Sequence, residues 1–336
     1  MTTTAVTAIN PKRALAQIMV GNQVQQAVYV AAKLCIADAL NDGPRDSEQI
    51  SQAVGAHPES LYRLMRLLAS YGIFAEDDRR RFSMTPLAEL LKKGTPSRSF
   101  AVWSGDFSYR VFGALEYSVR TGKPAFEHLF GMEFFEYLNQ HPELGGLFDD
   151  AMSWHTSPIA PVIAALDFSG AGTVVDVAGG RGEVLTAVLR AHPDLRGILV
   201  DHPRIIENAR TKLEAAGVSD RCTIVGSDVL ESVLPAGDVY ILKSVLHGLG
   251  DGHAVRVLTN CRKAMNNGRL LLIEFVLPVG NDPFPGKLMD LLMLVGGEGR
   301  ERTREEFSAL LEKAGLRLGN IQTTSFAYCI LEGIAA

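Results

Sequence analysis

Between residues 173 and 276 the chain alternates between two hydrophobic rhythms. Short apolar, β-branched runs near 173–177, 196–201, 222–226, 237–242 and 269–276 have the length and composition of buried strands. Between them, near 182–191, 203–215 and 251–265, apolar positions recur three and four apart, which predicts helices. Strand alternating with helix predicts a doubly wound α/β domain. Thr303-Arg-Glu-Glu306 has the capping-box pattern and opens a helix that closes at Ala314-Gly315. Two last runs, near 316–323 and 326–332, predict an antiparallel pair that finishes the sheet.

The N-terminal third has a different pattern. Residues 11–41 predict a helix, with Leu15, Ile18, Met19, Val28, Val30, Ala31, Leu34 and Ile36 at helical spacing and Asn41-Asp-Gly-Pro44 as its stop. Ser47 opens a short helix, and Leu61–Leu68 lies in a third. Ile73–Glu76 and Arg81–Met84 flank the charged turn Asp77-Asp-Arg-Arg80. Three helices and a hairpin make a winged helix-turn-helix. Such a module reads DNA, here through Arg63, Arg66 and Arg79–Arg81, or it binds protein. The first helix is apolar over a wide arc, so burial against a partner subunit, and thus dimerisation, is the favoured use. Residues 86–172 read as mainly helical and rich in aromatics. Most of these are core, while Trp103, Phe148 and Trp154 are candidates to line a pocket for a flat apolar substrate. The expected division is 1–95 for the winged module, 96–160 for a helical linker and pocket segment, and 161–336 for the α/β domain.

Composition narrows the function. A chain of 336 residues, 47% of them apolar, can bury about two cores. The net charge of −5 argues against nucleic acid as a partner. Cys35, Cys222, Cys261 and Cys329 are far apart and suit buried thiols in a reducing compartment. The N-terminus lacks a signal-peptide pattern, and no apolar run approaches the ~20 residues that span a bilayer. A soluble cytoplasmic protein is the expectation, with no membrane partner. No metal-ligand constellation stands out.

The densest chemical signal is Val174-Val175-Asp176-Val177-Ala178-Gly179-Gly180-Arg181-Gly182 with Asp201 downstream. A strand ending in an acid, a glycine turn, a helix, and a second strand ending in an acid is the layout of a nucleoside-binding βαβ unit. Glycines admit close backbone approach, and the second acid can accept both ribose hydroxyls. The third glycine of a dinucleotide fingerprint is missing, and so is the Gly-Lys-Ser/Thr of a P-loop.

The turn resembles the Asp-x-Gly-x-Gly-x-Gly loop of class I S-adenosylmethionine-dependent methyltransferases, with Ala178 in place of the first glycine. From about residue 12 to 333 the chain resembles the bacterial and plant small-molecule O-methyltransferases. Those enzymes join a winged-helix dimerisation domain to a Rossmann-like S-adenosylmethionine-binding domain. The resemblance rests on Gln26–Lys33, Ser118–Pro124, Phe148-Asp-Asp-Ala-Met-Ser153, Leu242-Lys-Ser-Val-Leu-His247, Ile273-Glu274 and Gly299-Arg-Glu-Arg-Thr303.

It implies a homodimer and S-adenosylmethionine as cofactor, held by Asp176, Ala178, Gly179, Gly180 and Gly182, with Asp201 on the ribose. Asp228 and Val229 match positions beside the adenine, and Lys243 a position near the cofactor. Phe135, Met152 and Thr156 match positions that close over it. His247 matches the general base that takes a proton from a hydroxyl of an aromatic or polyketide-like acceptor. Glu274 and Glu301 match the acids that flank it, one of which can fix the imidazole tautomer. Asp290, Met293 and Leu294 match a substrate-lining segment. No metal is implied, because a sulfonium is already an activated methyl donor. The chain departs from the family at Gly248-Leu249, where Asp-Trp is usual. That keeps open non-methylating chemistry on the same scaffold, N- or C-methylation, and, further off, a DNA-binding regulator.

Overall fold

A computed structural model describes residues 10–336 and separates into two compact units, one ending at Tyr109 and one beginning at Arg110. The division falls inside the segment read from sequence as a linker.

In the first unit the long N-terminal helix is broken twice. Pro11–Met19 is capped by Asn10 and gives way at Val20 to Gly21–Lys33, which ends before Cys35 in a left-handed conformation. Asp46 caps Ser47–Val54 with a full capping box to Gln49, and His57 caps Pro58–Ser70. Strands β1 (Phe74–Glu76) and β2 (Phe82–Met84) form the expected hairpin. Ala31, Ala32, Ile36, Ile50, Met65, Leu68, Phe74 and Phe82 make its core. The first helix buries nothing within this unit: Leu15, Ile18 and Met19 are 59%, 77% and 68% exposed.

The second unit carries a seven-stranded sheet, β3 (Thr173–Val177), β4 (Arg196–Asp201), β5 (Cys222–Gly226), β6 (Gly237–Lys243), β7 (Met265–Glu274), β8 (Leu316–Thr323) and β9 (Cys329–Ala335), in the order β5-β4-β3-β6-β7-β9-β8. The first five strands are parallel, and β9 is antiparallel to both neighbours. Alternate residues face opposite layers, as the two-residue strand period requires. Val174, Leu199, Val239, Ile241, Leu271 and Ile273 meet one set of helices, including Glu183–Ala191. Val175, Val177, Val200, Tyr240, Leu242 and Leu272 meet the other, including Asp251–Ala264 and Arg304–Lys313. The strand order reverses between β3 and β6. Ligands of open α/β sheets bind at the carboxyl edge of such a switch point.

Candidate active site

The carboxyl edge carries Asp201 on β4, Asp176 and the glycine loop after β3, Lys243 and His247 after β6, and Glu274 on β7. The loop is built by backbone conformation. Ala178, Gly180 and Gly182 all have positive φ, of 53°, 63° and 75°. Ala178 therefore pays a steric penalty that a glycine would not. A Cβ on Gly179 would sit 2.4 Å from Asp176 Cγ, whereas one on Gly180 would meet nothing within 4 Å, so the loop is tight inside and open outside.

Asp201 ties the loop to β4. Its Oδ2 accepts from Gly180 N at 2.7 Å and its Oδ1 from His202 N at 2.6 Å. Each oxygen keeps a further lone pair for a ligand hydroxyl. Asp176 is buried, and its Oδ2 has no hydrogen-bond partner. Burial, and then the nearby Asp201 carboxylate, push its pKa up to about 7.

Lys243 is buried at the end of β6. Its Nζ donates to Thr156 Oγ1 at 3.1 Å and lies 5.3 Å from the centre of the Tyr328 ring. Burial draws its pKa down to about 8. Thr156 and Met152 lie in the helix Pro142–Thr156. Phe148 packs edge-on against Phe134 and Phe135, while Trp154 and Phe135 are largely exposed. Asp228 is exposed and accepts from Leu230 N at 2.8 Å, and Val229 packs against the core below it. Trp103 belongs to the first unit, where it is buried and stacked on Phe107 at 4.3 Å.

His247 sits on the short turn Leu246–Gly248 just beyond β6. Its Nδ1 lies 2.8 Å from Glu301 Oε1. Glu301 is 2% exposed, so the three arginines flanking it in sequence do not make it a surface acid. Burial disfavours the imidazolium, but the Glu301 hydrogen bond and the charges of Glu274 and Glu301 outweigh it and raise the His247 pKa above 6.5. Glu274 plays a different part. It is fully buried, and its Oε1 accepts from the amides of Val245 at 3.0 Å and Leu246 at 2.8 Å, which holds the turn rather than the ring. One atom each of His247, Glu274 and Glu301 lies within 4.8 Å of the others. Asp290 Oδ1 accepts from Glu301 N at 2.9 Å. Asp290, Leu294, Leu277, Gly299 and Glu301 line a depression beside the pair, and Met293 is half-buried on the same helix, Pro285–Gly296.

Sequence reasoning missed two features. His155 lies between Trp154 and Thr156, one helical turn from Met152. Burial and then the charges of Lys243 and His247 push its pKa down to about 4, so it stays neutral. Its i+3 spacing from Met152 was the available signal. Arg181, within the glycine loop, pairs with Asp150, and Arg204 Nη1 pairs with Asp149 Oδ2 at 3.2 Å, fastening the loop and the helix Pro203–Ala215 to Pro142–Thr156. No periodicity points to such long-range pairs.

The O-methyltransferase domain family matches residues 112–317, and the O-methyltransferase dimerisation domain matches residues 16–94. The chain belongs to the O-methyltransferase family. Phenazine O-methyltransferase PhzM of Lysobacter antibioticus is 42% identical over 322 residues, covering 95% of this chain and 94% of that protein. The crystal structure of LaPhzM superposes with a TM-score of 0.93 at 41% identity, covering 97% of this chain and 99% of that one. The O-methyltransferase NcsB1 from neocarzinostatin biosynthesis, solved with S-adenosylmethionine and 2-hydroxy-5-methyl naphthoic acid, superposes with a TM-score of 0.82 at 34% identity, covering 98% of this chain and 100% of that one. As an O-methyltransferase, the chain uses its winged module as a dimerisation domain rather than as a DNA reader.

Proposed function

We propose that this O-methyltransferase moves a methyl group from S-adenosylmethionine to a hydroxyl of an aromatic or polyketide-like small molecule, with His247 as general base. The observation that carries the reading is the buried His247–Glu301 pair on the same sheet edge as the glycine loop and Asp201. The residues present suit that cofactor: an open-faced glycine loop, a strand-end carboxylate with free lone pairs, and a buried Asp176 oxygen without a partner.

In this reading Asp201 accepts from the ribose hydroxyls, and Gly180 and Gly182 let the backbone approach the methionine part. Asp228 and Val229 meet the adenine. Phe135, Met152 and Thr156 cover the site, and Lys243 fixes Thr156. S-adenosylmethionine, when bound, supplies an electrophilic methyl carbon on a sulfonium. His247 holds its Nδ1 proton on Glu301, which leaves Nε2 to take the proton of the acceptor hydroxyl. Glu301 stabilises the imidazolium so formed, and Glu274 keeps the turn in place. Phe148, Trp154, Met293 and Leu294 supply apolar walls, with Asp290 between them and Glu301. A second copy covers the exposed apolar strip of Leu15, Ile18 and Met19, and the enzyme works in the cytoplasm as a homodimer.

Calorimetric titration with S-adenosylmethionine and S-adenosylhomocysteine tests the cofactor: saturable micromolar binding of both is expected. Incubation with 3-amino-4-hydroxybenzoate, a hydroxyphenazine and a hydroxynaphthoate, followed by mass spectrometry, tests the chemistry. One added methyl on oxygen supports the reading. A methyl on nitrogen or carbon, or a product of altered mass without a methyl, would replace it.

A further inference from the structure

Beside Glu301 lies the largest fully buried side chain among the described residues, Arg302, with none of its surface exposed. Its guanidinium does not face the pocket. Nη1 donates to Leu246 O at 2.7 Å and Arg300 O at 3.2 Å, and Nη2 donates to Leu249 O at 2.8 Å. Nε and Nη2 reach Asp251 Oδ1 at 3.1 and 2.8 Å. Leu246 and Leu249 bracket His247, so one side chain clasps the turn on both sides of the base. The Arg302 backbone is anchored too. It forms a parallel bridge with Val276, and its carbonyl accepts from Leu277 N at 2.9 Å, just beyond Glu274.

A planar, permanently charged group with five donors suits this task, since it can hold several carbonyls in fixed directions at once. The turn has little else to define it. It is a single turn of 3-10 helix at the end of a strand, with Gly248 inside it. Glu274 grips its amides and Arg302 grips its carbonyls. Gly299 lets the two segments meet, for a Cβ there would lie 2.2 Å from His247 O. The three acid–base residues thus come from three segments, and Arg302 touches or adjoins all three.

We propose that Arg302 is a positioning residue for the general base: its clasp on Leu246, Leu249 and Asp251 sets the alignment of His247 with Glu301, and with it the basicity of the imidazole. The inference rests on His247 being the base.

The test compares pH–rate profiles, cofactor affinity and thermal unfolding of the full-length wild type, Arg302→Lys, Asp251→Asn and His247→Ala. Lysine keeps the charge but not the fork. Arg302→Lys is expected to lower kcat about 10- to 100-fold, the scale of a misplacement of about 1 Å. KM and cofactor Kd should stay within about threefold, because binding residues are left in place. The acidic limb of kcat/KM should move to lower pH, because a loosened Glu301 no longer raises the His247 pKa. Asp251→Asn, which leaves Arg302 in place, should show the same limb shift with a several-fold loss of kcat. It decides the matter should Arg302→Lys fail to fold. A lower Tm with unchanged kcat and an unmoved limb in the variants that fold would overturn the positioning role. Near-full turnover of His247→Ala would instead overturn the base role, which separates the two failures.

Discussion

The two halves of the carboxyl edge are built on different principles. The glycine-loop half is contiguous: Asp176 to Gly182 are consecutive, and their shape comes from backbone conformation, with Ala178, Gly180 and Gly182 at positive φ and Asp201 stitching the turn closed. The base half is assembled from side chains of three separate segments, His247, Glu274 and Glu301. Its carboxylates are fully buried or nearly so, and each leaves one oxygen without a partner. A backbone-built site tolerates neighbouring change as long as the φ values survive. A site made of buried charges depends on every group being present, since each is stabilised only by the others. The first half should therefore govern affinity and the second half rate.

His247→Ala should break the second half outright. Turnover is expected to fall about 10²–10⁴-fold while cofactor affinity holds, measured by single-turnover assay and calorimetry. Asp201→Ala should do the reverse. Removing a charged acceptor, worth about 1.5–3 kcal/mol, should weaken cofactor binding roughly 10- to 150-fold with kcat at saturation little changed. If either variant moved both quantities equally, the division of labour would be wrong.

Glu301→Gln sharpens the contrast through pH. The base works only when neutral, so kcat/KM should rise with pH through a value above the ordinary 6.5 of histidine. Glu301 stabilises the charged form, so replacing it by an amide should move that limb to lower pH and reduce the plateau about tenfold or more. A limb that stayed in place would detach Glu301 from the base.

Gly182→Ala is a smaller perturbation, costing about 1–2 kcal/mol of stability from the left-handed φ, visible as a lower Tm. Gly248→Asp should be nearly silent, because a Cβ at Gly248 meets nothing within 4 Å and the restored family residue fits. Smallest of all is the effect of chelation. Although His247, Glu274 and Glu301 are grouped closely enough to touch one ion, treatment with EDTA should leave the methylation rate unchanged, and a loss restored by a divalent ion would recast the cluster as a metal site.

These contrasts also explain what could be read from sequence. The alternation of apolar runs and helical spacing located the strands within a few residues, and the strand-end acids Asp176 and Asp201 followed from it. Contiguous signals of that kind survive without structure. The break at Val20 was hidden because both helices flanking it keep apolar residues at helical spacing, and a single non-helical residue changes no pattern. His247 was reached only through resemblance, since a strand-end histidine is ordinary by itself. Which of Glu274 and Glu301 meets the ring was not legible, because it depends on how the segment after Pro285–Gly296 returns to the end of β7. Arg302 was invisible for a similar reason. Its partners are mostly backbone carbonyls, which carry no sequence signature, and an arginine among Arg300 and Arg304 looks like a solvated surface.

The most direct test of the account is the pH dependence of kcat/KM for wild type and Glu301→Gln with one methylated acceptor, at saturating S-adenosylmethionine. The account predicts a single acidic limb above pH 6.5 in the wild type that moves down in the variant. A rate independent of pH across this range in both proteins would contradict the assignment of His247 as the base.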